Sequence, residues 1–491
     1  MPDPAALDYG PDLTRLPAGP QSRGIDSMPN EKDELPLNIN AEGGLLVMGA
    51  RGNRGGLGNF YTRSWRLVAL DASTLKPLNV TWQYVGDKQS ATASEFFDVR
   101  PYEELIVWSG KKRITLNPSN IIGTSFALCA VLDSRAVHAW GHVDGGGTLP
   151  EPVREAHDVV ELSAGMRAFA IRRAQGNVLA WGLQPSGTVP EDIAQLNTVV
   201  AVSGSTYVFV ALLESRKLVA WGMPEMGGAL PPEIADLTDI MQASGGQYGF
   251  AALRSTGNVV CWGYHDHSAQ LPDDIALLTD ITRLACSTHA FAVLSDNGQV
   301  RAWGHESLGG QVPSDIAALR DIVDLASNSS AFAARRSNGA LVVWGHMPPM
   351  PEEIASRNDI VHVIGSGSGF VVLCGDGSVH AWATLPSDIV NIPPDIRQLR
   401  DIVAINANQD AVVALRSNGV AVAWGRENGG GDTSAVAHLL TDVRAVYGGG
   451  DTFVALRADR RVVAWGNADF GGNGEQKALY QLISYTKTPA S

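Results

Sequence analysis

The stretch "AFAARRSNGALVVWG" (331–345) decides the fold, because the chain writes it again and again. It returns as "GFAALRSTGNVVCWG" (249–263), "AFAVLSDNGQVRAWG" (290–304), "AVVALRSNGVAVAWG" (411–425) and "TFVALRADRRVVAWG" (452–466). Its Trp falls at 140, 181, 221, 262, 303, 344, 382, 424 and 465, in steps of 41, 40, 41, 41, 41, 38, 42 and 41. A period of this size marks solenoids and propellers. Each Trp after the first is preceded, 23 residues upstream, by the start of an apolar segment such as "DIVDLAS" or "DITRLAC"; the eight starts fall at Asp158, Thr198, Asp239, Asp280, Asp321, Asp359, Asp401 and Asp442. All length variation falls between a Trp and the next start, from 15 residues (344 to 359) to 19 (382 to 401). The 23-residue block is therefore the rigid module, and the remainder is a loop.

Within the block, apolar runs flank Ser-Asn-Gly, Asp-Asn-Gly or Ser-Thr-Gly, which predicts a hairpin closed by a type I′ turn. Gly holds that turn at 176, 257, 298, 339, 377 and 419, whereas Arg at 135, 216 and 460 implies another turn type or a strained one. After the Trp come a Gly-bearing loop, Leu-Pro or Val-Pro, and a turn of helix such as "EDIAQL", with Pro suited to the helix start. A unit is thus three strands, a short fourth at the Pro, and one helical turn. The repeated Asp of "DIV" reads as a turn cap.

So small a sheet cannot bury both faces alone, so neighbours must stack. The first hairpin, "FALCAVLDSRAVHAWG" (126–141), has no such opening strand ahead of it, while the repeat spacing places a further start at Ile483, in "QLISYTK". The sequence therefore predicts an all-β fold: a closed β-propeller of about nine blades (seven to nine) over 118–491, with the C-terminal strand near 481–487 completing the first blade and leaving no open edge. Ahead of it, 43–117 carries six strand signals, "GLLVMGA" to "RITLNP", predicting a small β-sandwich of immunoglobulin-like character. Residues 1–42, with seven Pro and eight acidic residues against three basic ones, read as a flexible acidic Pro-rich tail.

The blade text G-x-x-x-x-F-A-x-L-x-x-x-G-x-V-x-A-W-G, followed by G-G-x-[LV]-P, resembles the regulator of chromosome condensation repeat family, nearest to the short-repeat bacterial branch that includes the propeller-type beta-lactamase inhibitory protein. The resemblance covers about 120–487. WD repeats share the period but end in Trp-Asp, and here Trp is followed by Gly or, at 383, Ala. The resemblance implies a propeller that binds a partner protein through one loop face, as a bacterial effector, toxin-associated or inhibitor module. The family's alternative role, guanine-nucleotide exchange on a small GTPase, uses a wedge inserted from a blade, and the even Trp spacing leaves no room for one. Glycan binding is a third class.

The composition agrees with a passive binder. The chain of 491 residues is 45% hydrophobic and 18% charged, and its net charge of −14 argues against nucleic-acid or anionic-membrane partners. The most apolar window, 199–213, is too short to span a bilayer. The start of the chain does not read as a secretory signal, so a cytoplasmic place or signal-independent export is expected. No nucleophile elbow, zinc-protease helix or phosphate loop stands out; "GARGNRGGLGNF" (49–60) lacks the Gly-Lys-Ser/Thr ending. No enzyme activity, cofactor or metal is expected, and oligomeric state is not encoded legibly. Cys129, Cys261, Cys286 and Cys374 fall at different repeat phases and read as buried strand thiols.

Antiparallel strands alternate in direction, so the loop after the first strand and the loop after the Trp share a face. On the first loop, equivalent positions run Arg167, Tyr207, Tyr248, His289, Ser330, Ser368, Asp410, Asp451: large on one half, small or acidic on the other. Post-Trp loops add Met223, Tyr264, His265, His267 and His305 to the large half. Tyr, Met and Arg anchor interfaces, so these nine residues (Arg167, Tyr207, Met223, Tyr248, Tyr264, His265, His267, His289, His305) are the expected partner-binding arc. The competing reading has Tyr207, Tyr248 and His289 bracing a central channel. His142, His305 and His346 sit in separate repeats, which speaks against a metal site.

Overall fold

The repeated fifteen residues fold as the second and third strands of a small antiparallel sheet. In the sixth repeat the strands are Ile322–Ser327, Ala331–Arg336 and Leu341–Gly345, hydrogen-bonded in that order. Register sets Phe332 directly opposite Trp344, and the two rings stack at 5.4 Å. The same pair recurs as Phe169–Trp181, Phe209–Trp221, Phe250–Trp262 and Phe291–Trp303, at 5.2–5.4 Å, every ring buried. Offset aromatic pairs across non-polar strands add to their area burial.

The computed structural model describes residues 44–51, 66–118, 121–264, 269–384 and 386–487; the tail expected at 1–42 lies outside them. Among the described residues, nine consecutive sheets of this kind make a repetitive all-β architecture of the propeller type. Eight have three strands, and the last adds a fourth, Asn473–Glu475. The short fourth strand expected at each Pro does not form. Instead Pro precedes a four-residue helix such as Glu191–Ala194, whose Ile193 plugs the seam to the next sheet.

Seven of the nine Trp residues also tie their sheet to a neighbouring one. Trp181 Nε1 donates to Gly146 O at 2.9 Å, Trp221 to Ser186 O, Trp262 to Gly227 O, Trp344 to Gly309 O, Trp424 to Ile389 O and Trp465 to Gly430 O. In the first repeat, Trp140 Nε1 donates at 3.1 Å to Gly471 O, in the loop of the last repeat. First strands also touch in sequence order, and Val443–Gly448 of the last sheet touches Ile121–Gly123 of the first. Trp382 Nε1 is buried without an acceptor; the loop before it, 344–359, is the shortest in the chain and lacks the turn that supplies one elsewhere.

Two expectations need correction. The opening strand of the first sheet is Ile121–Gly123, not the C-terminal segment. Residues 481–487 instead lace the N-terminal strands to the first hairpin: Leu116 bridges Thr486, Asn117 Nδ2 donates to Ser484 O at 2.8 Å, and Asp133 N donates to Leu482 O. The hairpin turns are not type I′. Gly339 N donates to Arg336 O and only Gly339 has positive φ (81°), so a type I turn is followed by one left-handed residue. Asn338 Oδ1 accepts from Ala340 N, which explains the Asn without a second positive φ. Arg135, Arg216 and Arg460 take the same left-handed turn at φ 62–66°. Replacing the exposed Arg216 by Gly should therefore raise stability by up to about 1 kcal/mol in urea unfolding. The same change at Arg460 should gain less, because Arg460 pairs with Asp133 at 2.8 Å. The opening Asp residues do more than cap: Asp158, Asp239, Asp321 and Asp401 each bind the Arg fifteen residues on, such as Arg336 Nε to Asp321 at 3.0 Å.

All six N-terminal strand signals form strands, with Ala91–Ala93 as a seventh. They make a three-stranded sheet, including Leu45–Met48 and Arg66–Asp71, and a four-stranded one, including Val80–Tyr84 and Leu105–Ser109. Leu45, Val47, Leu67 and Ala69 share one core with Val80, Trp82, Leu105 and Val107 of the other sheet. The alternate residues Leu46, Met48, Val68 and Leu70 pack instead on Val413, Leu415 and Phe453 of the repeats. Backbone bonds fix the docking: Gly49 N donates to Arg444 O at 2.9 Å, and Arg66 Nη1 to Val403 O at 2.7 Å. Val403 and Arg444 each stand second in a first strand, far from the loop that ends it. The N-terminal module therefore sits on the face opposite the predicted arc.

Candidate functional site

The rim is built on one bond that repeats nine times. The amide two residues after each Trp donates to the carbonyl fourteen residues before it: His142 N to Phe126 O, Leu183 to Arg167, Met223 to Tyr207, Tyr264 to Tyr248, His305 to His289, His346 to Ser330, Thr384 to Ser368, Arg426 to Asp410 and Asn467 to Asp451, all at 2.8–3.1 Å. In eight of the nine repeats Gly follows Trp, and its left-handed backbone leaves room for the approach. A Cβ on Gly222 (φ 117°) would lie 2.3 Å from Tyr207 O. Ala383 fills the position in the seventh repeat without a left-handed backbone. First-loop and post-Trp side chains thus stand in fixed pairs, one pair per repeat.

Neighbouring first loops are bonded to one another as well. Ser125 N donates to Met166 O at 2.8 Å, Thr288 N to Ser329 O, Gly367 N to Gln409 O, and Gly450 N to Thr124 O. A rim so tied presents its side chains with little backbone freedom left to lose on binding.

The structure brings the predicted residues of the fourth and fifth repeats together. Tyr264 lies 6.3 Å from Tyr248, Tyr248 lies 4.8 Å from His289, and His289 lies 6.3 Å from His305, ring centre to ring centre. Tyr264 is 42% exposed; Tyr248, His289 and His305 are half-buried. Tyr207 and Met223 pack partly into the seam between the third and fourth repeats, which combines a bracing role with an exposed edge. Arg167 does not join the Tyr–His run; its guanidinium lies 4.7 Å over the Phe126 ring. His265 and His267 lie outside the described residues.

Four rim residues, Phe126, Phe470, Val143 and Leu183, escaped sequence reasoning. Phe126 is the first-repeat equivalent of Arg167, and its ring meets Phe470 edge-on at 4.8 Å. Counting fourteen residues back from Trp140 would have found it. Val143 (62% exposed) and Leu183 (42% exposed) extend the apolar arc over the first and second repeats. The arc therefore runs from Phe470 through Phe126, Leu183, Met223 and Tyr264 to His305.

The other half is closed upon itself. Arg426 Nη2 binds Asp451 Oδ1 at 2.5 Å and Asp410 Oδ2 at 3.1 Å. Burial pushes the Asp451 carboxyl above the usual carboxylate range despite Arg426, with Asp410 adding to the rise. Ser368 Oγ donates to Ser387 Oγ at 2.9 Å. Among the described residues no three His, Cys, Asp or Glu side chains gather as a metal site would need. The four cysteines are free thiols, Cys261 half-buried and the others buried; burial pushes the Cys261 thiol up to about 11.

No family model matches the sequence, and no curated protein does. Among solved structures, the chain is similar to the ectodomain of the receptor kinase CR4 from Physcomitrella patens, at 17% identity over 52% of this chain and 70% of that one, with a TM-score of 0.36. It is similar to Prp20p from Saccharomyces cerevisiae, whose structure was described together with its binding to Gsp1p and histones, at 15% identity over 64% and 83%, TM-score 0.37. It is likewise similar to human WBSCR16, at 14% identity over 69% and 98%, TM-score 0.35. Likenesses this low leave the functional argument to the chain's own residues.

Proposed function

We propose that the chain is a non-enzymatic scaffold whose nine sheets close into a ring and bind a partner protein through the arc from Phe470 to His305. The wrap-around bond from Trp140 to Gly471 supports closure. The N-terminal strands form a sandwich seated on the opposite face, which leaves the arc uncovered by the chain's described residues. The observation that carries the binding role is the asymmetry of a rim whose backbone is the same throughout. One half offers Tyr, His, Phe, Leu and Met, with the Tyr–His run and the Phe126–Phe470 pair in ring contact, and the other ties Arg426 to Asp410 and Asp451. Packing alone would treat the repeats alike. Interfaces are anchored by side chains of the first kind. The effector or inhibitor role implied by the family resemblance is the setting we favour.

The test is capture. Tyr248→Ala with Tyr264→Ala should abolish recovery of the partner taken by the wild type, a loss of at least about a hundredfold in affinity. Its melting temperature should stay within about 2 °C, because Tyr264 is open to solvent and Tyr248 half so. Ser368→Ala with Thr384→Ala, on the plain half, should capture normally. Capture surviving the Tyr changes, or lost equally with the Ser and Thr changes, would refute the assignment. An exchange factor would instead speed nucleotide release from a small GTPase, and a passive binder leaves that rate unchanged.

A further inference from the structure

Where the N-terminal module meets the repeats lies one fully buried histidine without a hydrogen-bond partner. His362 is the third residue of Ile360–Gly365, the first strand of the seventh repeat, and it is fully buried. Neither Nδ1 nor Nε2 has a hydrogen-bond partner. Phe97 of the module meets its ring edge-on at 6.2 Å. Two cations face it from two directions: Arg66 on the module strand Arg66–Asp71, and Arg335 near the end of the middle strand of the sixth repeat. The nearby carboxylates are already engaged. Glu95 pairs with Arg66, while Asp324 accepts from Arg283 Nη1 at 2.6 Å and stands across the strand from Arg335.

A buried ring with two idle nitrogens needs an explanation, since native interiors leave few such groups unpaired. We propose that His362 is a pH-sensitive latch: the module stays seated on the repeats only while this ring is uncharged. An imidazolium there would meet two guanidiniums, while the nearby carboxylates Glu95 and Asp324 are already paired with Arg66 and Arg283. Burial first, then Arg66 and Arg335, hold the ring well below its ordinary value of 6.5. Once the module lifts, the ring meets solvent and titrates near that ordinary value. The lifted state thus binds more protons in acid, so seating is complete above about pH 6.5 and weakens as pH falls below it. From pH 7.5 to 5.5 the opening equilibrium should rise about tenfold.

Hydrogen exchange on the full chain reads this directly. After correction for the intrinsic chemical rate, amides of Arg66–Asp71 should open about ten times more often at pH 5.5 than at 7.5. Those of Gly249–Arg254, in a repeat far from the module, should not change. His362→Leu, which keeps an apolar body and cannot ionise, should remove the step. A wild type that opens equally at both pH values, or a step that persists in His362→Leu, would overturn the proposal. If that variant fails to fold, ring NMR of wild-type protein, assigned with His362→Gln, decides the matter. A ring titrating near 6.5 while the module is seated refutes the latch, and one titrating well below supports it. Neither readout depends on a partner, so the latch and the binding arc stand or fall separately.

Discussion

A chain ending at Glu475 should lose its single cooperative unfolding transition. The missing segment supplies Leu479, Ile483 and Tyr485 to the core shared by the N-terminal sheets and the first and last repeats, where they are 0%, 0% and 6% exposed. It also carries the Tyr485 hydroxyl bond to Gly49 O at 2.8 Å and the Lys487 N bond to Thr115 O. At about 2–5 kcal/mol for each large buried side chain, removal costs roughly 6–15 kcal/mol, comparable with the whole stability of an ordinary domain. Circular dichroism and Trp fluorescence should show the melting point falling by more than about 10 °C, or two separated transitions. A melt within a couple of degrees of wild type would mean that the segment is an ornament.

Arg51→Met should be the most damaging single substitution in the N-terminal module. Arg51 and Asp98 form an ion pair at 2.7 Å with side chains 1% and 0% exposed. Arg51 Nη1 also donates to Asn117 O at 2.6 Å, and the Tyr84 hydroxyl donates to Asp98 at 2.8 Å. Burial, then Asp98, raise the Tyr84 phenol above its ordinary range, so it stays a donor. Deleting the cation strands a buried carboxylate, which costs about 3–5 kcal/mol. Adding Asp98→Asn to Arg51→Met should return much of that loss, since the uncompensated charge goes with it. Urea unfolding of the two variants measures both. A double variant no more stable than the single would place the damage in lost packing instead.

The repeats were legible because their signal is redundant: nine Trp residues at nearly constant spacing and a Phe in register fix the sheet without any single position mattering. Two errors share a physical cause. Asn-Gly serves a type I turn with one left-handed residue as readily as a type I′ turn, and only the bond from Gly339 N to Arg336 O separates them. The spacing likewise marked Ile483 as a strand start, while the true opening strand, Ile121–Gly123, is three residues long and lacks the leading Asp. Docking of the module did leave a trace. Leu45–Met48 is apolar at every position, where a sandwich strand with one wet face would alternate, and unbroken apolarity means both faces are covered. Of the arc, Arg167 to His305 could be read by aligning the repeats. Phe126 was missed because its repeat has no standard opening strand to align.

The nine-fold amide-to-carbonyl bond has an evolutionary consequence. It involves only main-chain atoms, so the two side chains it displays in each repeat can be exchanged without touching what holds the sheets together. On the proposed binding arc, recognition would then be written in a combinatorial alphabet, two letters per unit, that selection can edit while the chassis stays put. If the proposed arc is the binding surface, transplanting the Tyr248 and Tyr264 pair onto Ser368 and Thr384 should move the hot spot to that half of the rim rather than break the protein.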